Sequence, residues 1–169
     1  MASRTVYKIV ENGEMTEETV ETYWQEFLST LSEDSPYRSR AYTAEGWGIN
    51  PEMADELGAL IVNGTKTATY SALWEWEAEG ESPPETGAVT IVLDGRGEPI
   101  GIVETTEVSI RKYNQVDADF ALEEGEGDLS LRYWREVHRR VFSQILPKIE
   151  KEFSEEMPLV CERFRLIYK

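Results

Sequence analysis

Residues 88–110 read AVTIVLDGRGEPIGIVETTEVSI, and this stretch decides the fold class. AVTIVL (88–93) is almost entirely apolar, and Asp94-Gly95-Arg96-Gly97 is rich in turn residues. PIGIVETTEVSI (99–110) alternates, with Ile100, Ile102, Glu104 and Thr106 on one side and Gly101, Val103, Thr105 and Glu107 on the other. Two strand-like arms around a glycine-containing turn predict a β-hairpin. Working outward, TATYS (67–71) and LVCERFRLIY (159–168) are further strand-like runs. Helical patterns precede and interrupt them. Val20, Tyr23, Trp24, Phe27, Leu28 and Leu31 recur at spacings of three and four, predicting a helix over 16–31 capped by Thr16. Asn50-Pro51 predicts a second helix start, with Met53, Leu57, Leu60 and Ile61 facing the core and Asn63-Gly64 ending it. A third helix is expected over about 130–146, capped by Ser130, striped by Leu131, Trp134, Val137, Val141 and Ile145, and interrupted at Pro147. The strands and helices do not alternate as βαβ units. The expectation is therefore an α+β domain with a small mixed sheet or barrel, not a doubly wound sheet.

The chain has 169 residues, a length that suits one domain. Hydrophobic residues make up 40% and charged residues 30%, enough apolar material for a core and against intrinsic disorder. The 33 acidic and 17 basic residues give a formal charge of −16. That balance argues against a general polyanion binder and against a protein that sits on anionic lipid. The acid is unevenly placed: residues 1–110 carry nearly all of the excess, while 111–169 are close to neutral. With a single cysteine, Cys161, no internal disulfide can form, which fits a cytoplasmic location. The opening MASRTVYKIVENGEM lacks the apolar core of a signal peptide, and no apolar run approaches the length of a membrane span.

Four segments carry candidate chemistry. Gly64-Thr65-Lys66-Thr67-Ala68-Thr69-Tyr70 places a lysine among hydroxyls at a helix-to-strand junction. A partly desolvated lysine loses its proton more readily and serves as a base or nucleophile, and a neighbouring threonine as nucleophile or ligand. The plain alternative is a threonine-rich strand with one exposed lysine. Glu123-Glu124-Gly125-Glu126-Gly127-Asp128 groups four carboxylates in a glycine-containing loop. Grouped carboxylates suit acid–base work, but their spacing does not match an EF-hand, and no metal is expected. Arg132 to Arg140 holds four arginines beside Trp134 and His138, suiting phosphate and base contacts or simple pairing with the abundant acids. Trp47, between Gly46 and Gly48, either stacks on a planar ligand or plugs the barrel end. Cys161 lies in an apolar run and reads as a core residue more readily than as a nucleophile.

GTKTAT at 64–69, EGEGDLSLRYWREVHRRVF at 124–142 and the closing MPLVCERFRLIY together resemble the ASCH domain family, in particular its longer bacterial branch. The resemblance implies a PUA-like, small mixed β-barrel surrounded by helices. It places the domain at 45–169, behind an N-terminal helical extension at 1–44. It further implies RNA-related function. Small members are amidohydrolases that deacylate N4-acylcytidine without a metal cofactor, and another member is a metal-dependent ribonuclease. Carried over, the catalytic set is Lys66, Thr69 and Glu126, with Glu124 a close rival for the carboxylate and Ser130 at the hydroxyl position of the same loop. A ribonuclease would use Lys66 on phosphate, Ser130 or Tyr70 near the scissile linkage, and a divalent cation. Trp47, Tyr70, Arg132, Trp134, Arg135 and His138 are the expected ligand-binding residues, either for an enzyme or for a non-catalytic nucleotide-binding module. The partner expected is a nucleoside or short RNA. An acidic shell disfavours long duplex nucleic acid.

Overall fold

A computed structural model describes residues 17–169. The expected Thr16 cap and the opening MASRTVYKIVENGEM lie outside the described residues. The elements run α1 (Glu17–Ser29), β1 (Thr43–Gly46), α2 (Pro51–Val62), β2 (Ala68–Ala72), α3 (Leu73–Glu79), β3 (Val89–Leu93), β4 (Pro99–Lys112), α4 (Ala118–Glu124), α5 (Leu131–Ile145) and β5 (Pro158–Tyr168), with short 3₁₀ turns between. The five strands form one mixed sheet in the order β1-β3-β4-β5-β2. β1 runs parallel to β3, and every other pair is antiparallel. The expected small barrel is a half-barrel: its edge strands β1 and β2 do not pair with each other.

β3 reads as a continuous apolar run because helices cover both faces of the sheet. Val89, Ile91 and Leu93 pack with Val20, Trp24, Phe27 and Leu28 of α1. Val92 turns the other way, to Ile61 of α2 with Trp47, Val103 and Phe164. A third cluster seats α4 and α5 on β2 and β5 through Phe120, Trp134, Phe142, Ala68, Ala72 and Leu159. The segment after α1 is tied to the sheet by Glu104, which accepts from Arg165 Nη2 at 2.6 Å, from Tyr37 Oη at 3.0 Å and from Arg40. No helix among the described residues is long and apolar enough to cross a membrane.

The expected caps hold: Asn50 Oδ1 accepts from Met53 N at 2.8 Å and Ser130 Oγ from Tyr133 N at 3.0 Å. Three elements differ from the sequence reading. β1 is a strand that the sequence pattern does not announce, α3 follows β2 without a break, and α4 takes up Glu123 and Glu124 from the expected acidic loop.

Candidate functional site

The site forms where the two edge strands part. Trp47, Gly48 and Ile49 leave the end of β1, and Lys66, Thr69 and Tyr70 come from the start of β2. Together with Glu124 and Glu126 after α4, and Val137, His138 and Val141 on α5, they line one cleft. Its empty space is about 650 Å³, counting the open mouth.

Backbone bonds fix the lysine. Gly64 ends α2 at φ +83°, and the N–H groups of Thr65 and Lys66 both donate to Leu60 O, at 2.9 and 3.0 Å. Thr67 N donates to Glu123 O at 2.8 Å, stitching the GTKTAT segment to the end of α4. Gly125 makes that contact possible. Its φ is +72°, and a Cβ there would lie 2.6 Å from Thr65 O.

Lys66 is therefore carried inside, with only 2% of its surface exposed. All three of its ammonium protons have acceptors: Glu126 Oε1 at 2.8 Å, Glu124 Oε2 at 3.3 Å and the Glu124 carbonyl at 3.4 Å. Burial works against the charge, but the Glu124 and Glu126 carboxylates outweigh it and raise the Lys66 pKa above its ordinary 10.5. This corrects the expectation of a readily deprotonated lysine. A desolvated lysine with no partner would lose its proton, whereas one between two carboxylates holds it. Burial pushes the Glu124 carboxyl well above the usual carboxylate range, against the pull of Lys66. Glu126 is partly buried, its side chain 20% exposed, but Lys66 and, more weakly, His138 hold it below that range. The closest ion pair is thus Lys66 with Glu126, and Glu124 keeps its proton to higher pH than an ordinary carboxyl does.

His138 is 3% exposed, and its Nδ1 lies 2.6 Å from Trp134 O. A carbonyl only accepts, so Nδ1 carries the hydrogen and Nε2 is left as an acceptor 4.0 Å from Glu124 Oε2. Burial lowers the ring pKa from 6.5 to about 3, keeping it neutral. Glu124, Glu126 and His138 offer three potential metal-ligand atoms within 4.8 Å of one another. The Lys66 ammonium already bonds both carboxylates, so a divalent ion here would compete with it.

The cleft brings together Lys66, Thr69, Glu126, Glu124, Trp47, Tyr70 and His138. Thr69 makes no side-chain hydrogen bond to another described residue. Trp47 is 6% exposed and packs edge-on against Phe164 at 5.0 Å, so it walls the cleft and is not an open stacking platform. Tyr70 sets its ring edge-on to His138, centroids 4.2 Å apart. Four expected residues stand elsewhere. Ser130 is the α5 cap, its Oγ engaged by Tyr133 N. Trp134 is 2% exposed in the core between Tyr113 and Tyr70. Arg132 and Arg135 line a separate groove with Tyr113, Leu131 and Arg139, on the other side of α5 from Val137 and Val141. Cys161 is in the core, and burial pushes its thiol up to about 12. Sequence reasoning missed Glu162, a buried carboxylate that lines the cleft directly across from Thr69 in the β2–β5 register. Its signal was a lone acid among apolar residues in LVCERF.

The ASCH domain profile matches residues 45–168. The chain belongs to the ASCH domain family. Two solved structures resemble it closely over most of their length. An ASCH domain from Lactobacillus crispatus JV V101 is 35% identical with a TM-score of 0.86, covering 92% of this chain and 98% of that one. A protein of Enterococcus faecalis V583 is 36% identical with a TM-score of 0.78, covering 89% of each chain. No curated protein matches the sequence.

His138 is the only histidine in this ASCH protein, so its ring can be followed alone by NMR. The ring is expected to stay neutral, with the hydrogen on Nδ1, at pH 5, where an ordinary histidine is mostly charged. Because its folded pKa lies below the unfolded value of 6.5, its contribution to stability is present above that value. The contribution is lost as the pH falls from there toward about 3. Imidazole ¹⁵N shifts checked between pH 4 and 8 would contradict this by showing protonation near 6.5 in the folded protein.

Proposed function

We propose that this ASCH protein hydrolyses an N4-acylated cytidine-type nucleoside. The observation that carries the reading is the cleft that holds Lys66 bonded to Glu126, with Thr69 also lining it. An ammonium cannot act as a base, so the resting pair must first exchange a proton. The Lys66–Glu126 hydrogen bond of 2.8 Å is a path for it. A ligand that seals the cleft removes water, and a drier pair favours neutral amine and neutral acid over separated charges. One proton shift then sets up both roles. Lys66 as free amine takes the proton of a water, which attacks the acyl carbonyl, or of the Thr69 hydroxyl, in which case the acyl-threonine ester so formed is then cleaved by a water that gives its proton to Glu126 while Lys66 returns one to Thr69. Glu126 as carboxylic acid protonates the departing exocyclic amine. Glu124 and neutral His138 back the pair from inside the core. The acidic surface, −16 overall, fits a neutral nucleoside better than a long polyanion.

A second reading, a non-catalytic module for a modified nucleotide or short RNA, draws support from the groove lined by Arg132, Arg135 and Arg139, which Glu136 and Glu155 share. Arginine forks suit phosphate oxygens.

Incubation with N4-acetylcytidine separates the two. The hydrolase reading expects release of cytidine and acetate. It expects a loss of about 10²-fold or more in kcat/KM for Lys66→Ala, Thr69→Ala and Glu126→Gln, the scale of a lost general acid or base. Ser130→Ala should leave the rate unchanged while removing about 1 kcal/mol of stability, the worth of a helix cap. If wild type and Lys66→Ala both fail to turn over, the hydrolase reading falls. Saturable, salt-sensitive binding of nucleotide or short RNA, equal in wild type and Lys66→Ala and weakened by Arg135→Ala, would then take its place.

A further inference from the structure

β4 is much longer than β3. The β3 ladder accounts for β4 only as far as Glu104, and Gly87 and Ala88 engage Thr105 through Gly87 N to Thr105 O at 2.8 Å and Thr105 N to Ala88 O at 2.9 Å. From Glu107 to Lys112 the inner side of β4 pairs with β5, and Thr106 is the extra residue at a shift in that register. Among the described residues, no strand pairs with the outer side of that segment, and its far end is closed by Lys112 N donating to Gln115 Oε1 at 3.1 Å. The open edge that is left, Glu107–Arg111, is a template for another strand. This one carries an exposed branched side chain: Ile110 is 53% exposed.

The sequence of the edge, Glu107-Val108-Ser109-Ile110-Arg111, is complementary to itself when run antiparallel. We propose that a second copy of this chain docks here. The two β4 edges would pair about a two-fold axis through Ser109, making one continuous sheet across the dimer. In that register Glu107 faces the partner's Arg111, Val108 faces the partner's Ile110, and Ser109 meets its own copy. Residues directly opposite in an antiparallel pair share a face, so each match is a side-chain contact. The charges extend a pair already present. Arg163 Nη1 lies 2.9 Å from Glu107 Oε1 on the neighbouring strand, and the partner's Arg111 continues the row as plus, minus, plus across three strands. Arg111 is now held by Ser109 Oγ at 3.2 Å, by the exposed Asp117 at 3.3 Å and over the Phe120 ring at 5.8 Å, with long polar contacts that a better partner can displace. Self-complementarity of this kind is what a two-fold interface requires, because each contact must occur twice. It points to a second copy over an unrelated strand. One strand pair buries less than the area of a standard stable interface, so the dimer is a concentration-dependent equilibrium.

A single-cysteine crosslink reads the register directly. Across an antiparallel pair, facing Cα atoms are about 4.5–5.5 Å apart. That separation lies inside the disulfide range of about 4.4–6.8 Å. Ser109→Cys in a Cys161→Ala background should therefore form a covalent dimer on mild oxidation. The background matters because Cys161 is the β5 neighbour of Ser109. Thr106→Cys in the same background should not crosslink, because its copies would sit six residues out of register, about 20 Å apart. Sedimentation adds an independent arm. Glu107→Arg alone and Arg111→Glu alone should each be monomeric, and mixing the two folded variants should restore dimer, since opposite charges then face each other at both positions. Circular dichroism melts confirm that each variant is folded. The proposal is overturned if Ser109→Cys crosslinks no better than Thr106→Cys. It is equally overturned if crosslinking appears only after removal of residues 1–16, which would assign the edge to that segment of the same chain.

Discussion

A buried lysine constrains everything around it. An ammonium removed from water costs several kcal/mol unless its protons are met by acceptors and its charge by an anion. Lys66 meets both conditions with three acceptors drawn from Glu124 and Glu126. Those residues must then be delivered to within hydrogen-bonding distance of the start of β2. The end of α4 does this, and Gly125 allows the backbone of that turn to touch Thr65. The Lys66–Glu126 pair, the helix end and the strand edge are one assembly, and none of the three can move far alone.

The half-barrel gives that assembly access to the outside. A closed barrel would have paired β1 with β2 and filled the seam. Here the seam stays open, and α2 (Pro51–Val62), which follows β1 in the chain, lends Met53 and Leu57 to the cleft. Trp47 and Tyr70 wall the opening from the two edges, and α5 closes the back with Val137, His138 and Val141. The result is an apolar slot with one ion pair at its floor. Such a slot suits a planar, mostly neutral ligand with a polar group to present to Lys66, Thr69 and Glu126.

Much of this architecture was legible in the sequence. The hairpin, helices α1, α2 and α5, and the Asn50 and Ser130 caps follow from periodicity and local hydrogen-bonding chemistry, which act over a few residues. β1 was hidden because its four residues pair in parallel with β3, more than forty positions away, and carry no alternation of their own. α3 was hidden because LWEWEAE has no capping residue, with Ala72 at its N-terminus. In the site, Lys66, Thr69 and Glu126 were legible as a motif, but the protonation of Lys66 was not. Sequence spacing says that a lysine is near hydroxyls; only the tertiary contact from α4 says that two carboxylates surround it. Arg132 and Arg135 fall outside the cleft for a related reason. Helical periodicity separates faces, and both arginines lie away from the face of α5 that carries Val137 and His138 into the cleft. Trp134 and Ser130 went to structural duties, one to the core and one to a cap.

The central claim is that Lys66 is held as an ammonium by Glu124 and Glu126 until a ligand closes over it. A pH titration of the Lys66 ¹³Cε and ¹⁵Nζ shifts in labelled protein, with Lys66→Met to assign the signal, tests this most directly. The account predicts a single charged form from neutral pH to above 10.5 in the free protein, the direction in which the two carboxylates move it. It also predicts a lowered midpoint in Glu126→Gln. Deprotonation of Lys66 below the ordinary lysine value in the wild-type protein, or a midpoint that does not respond to Glu126→Gln, would contradict it.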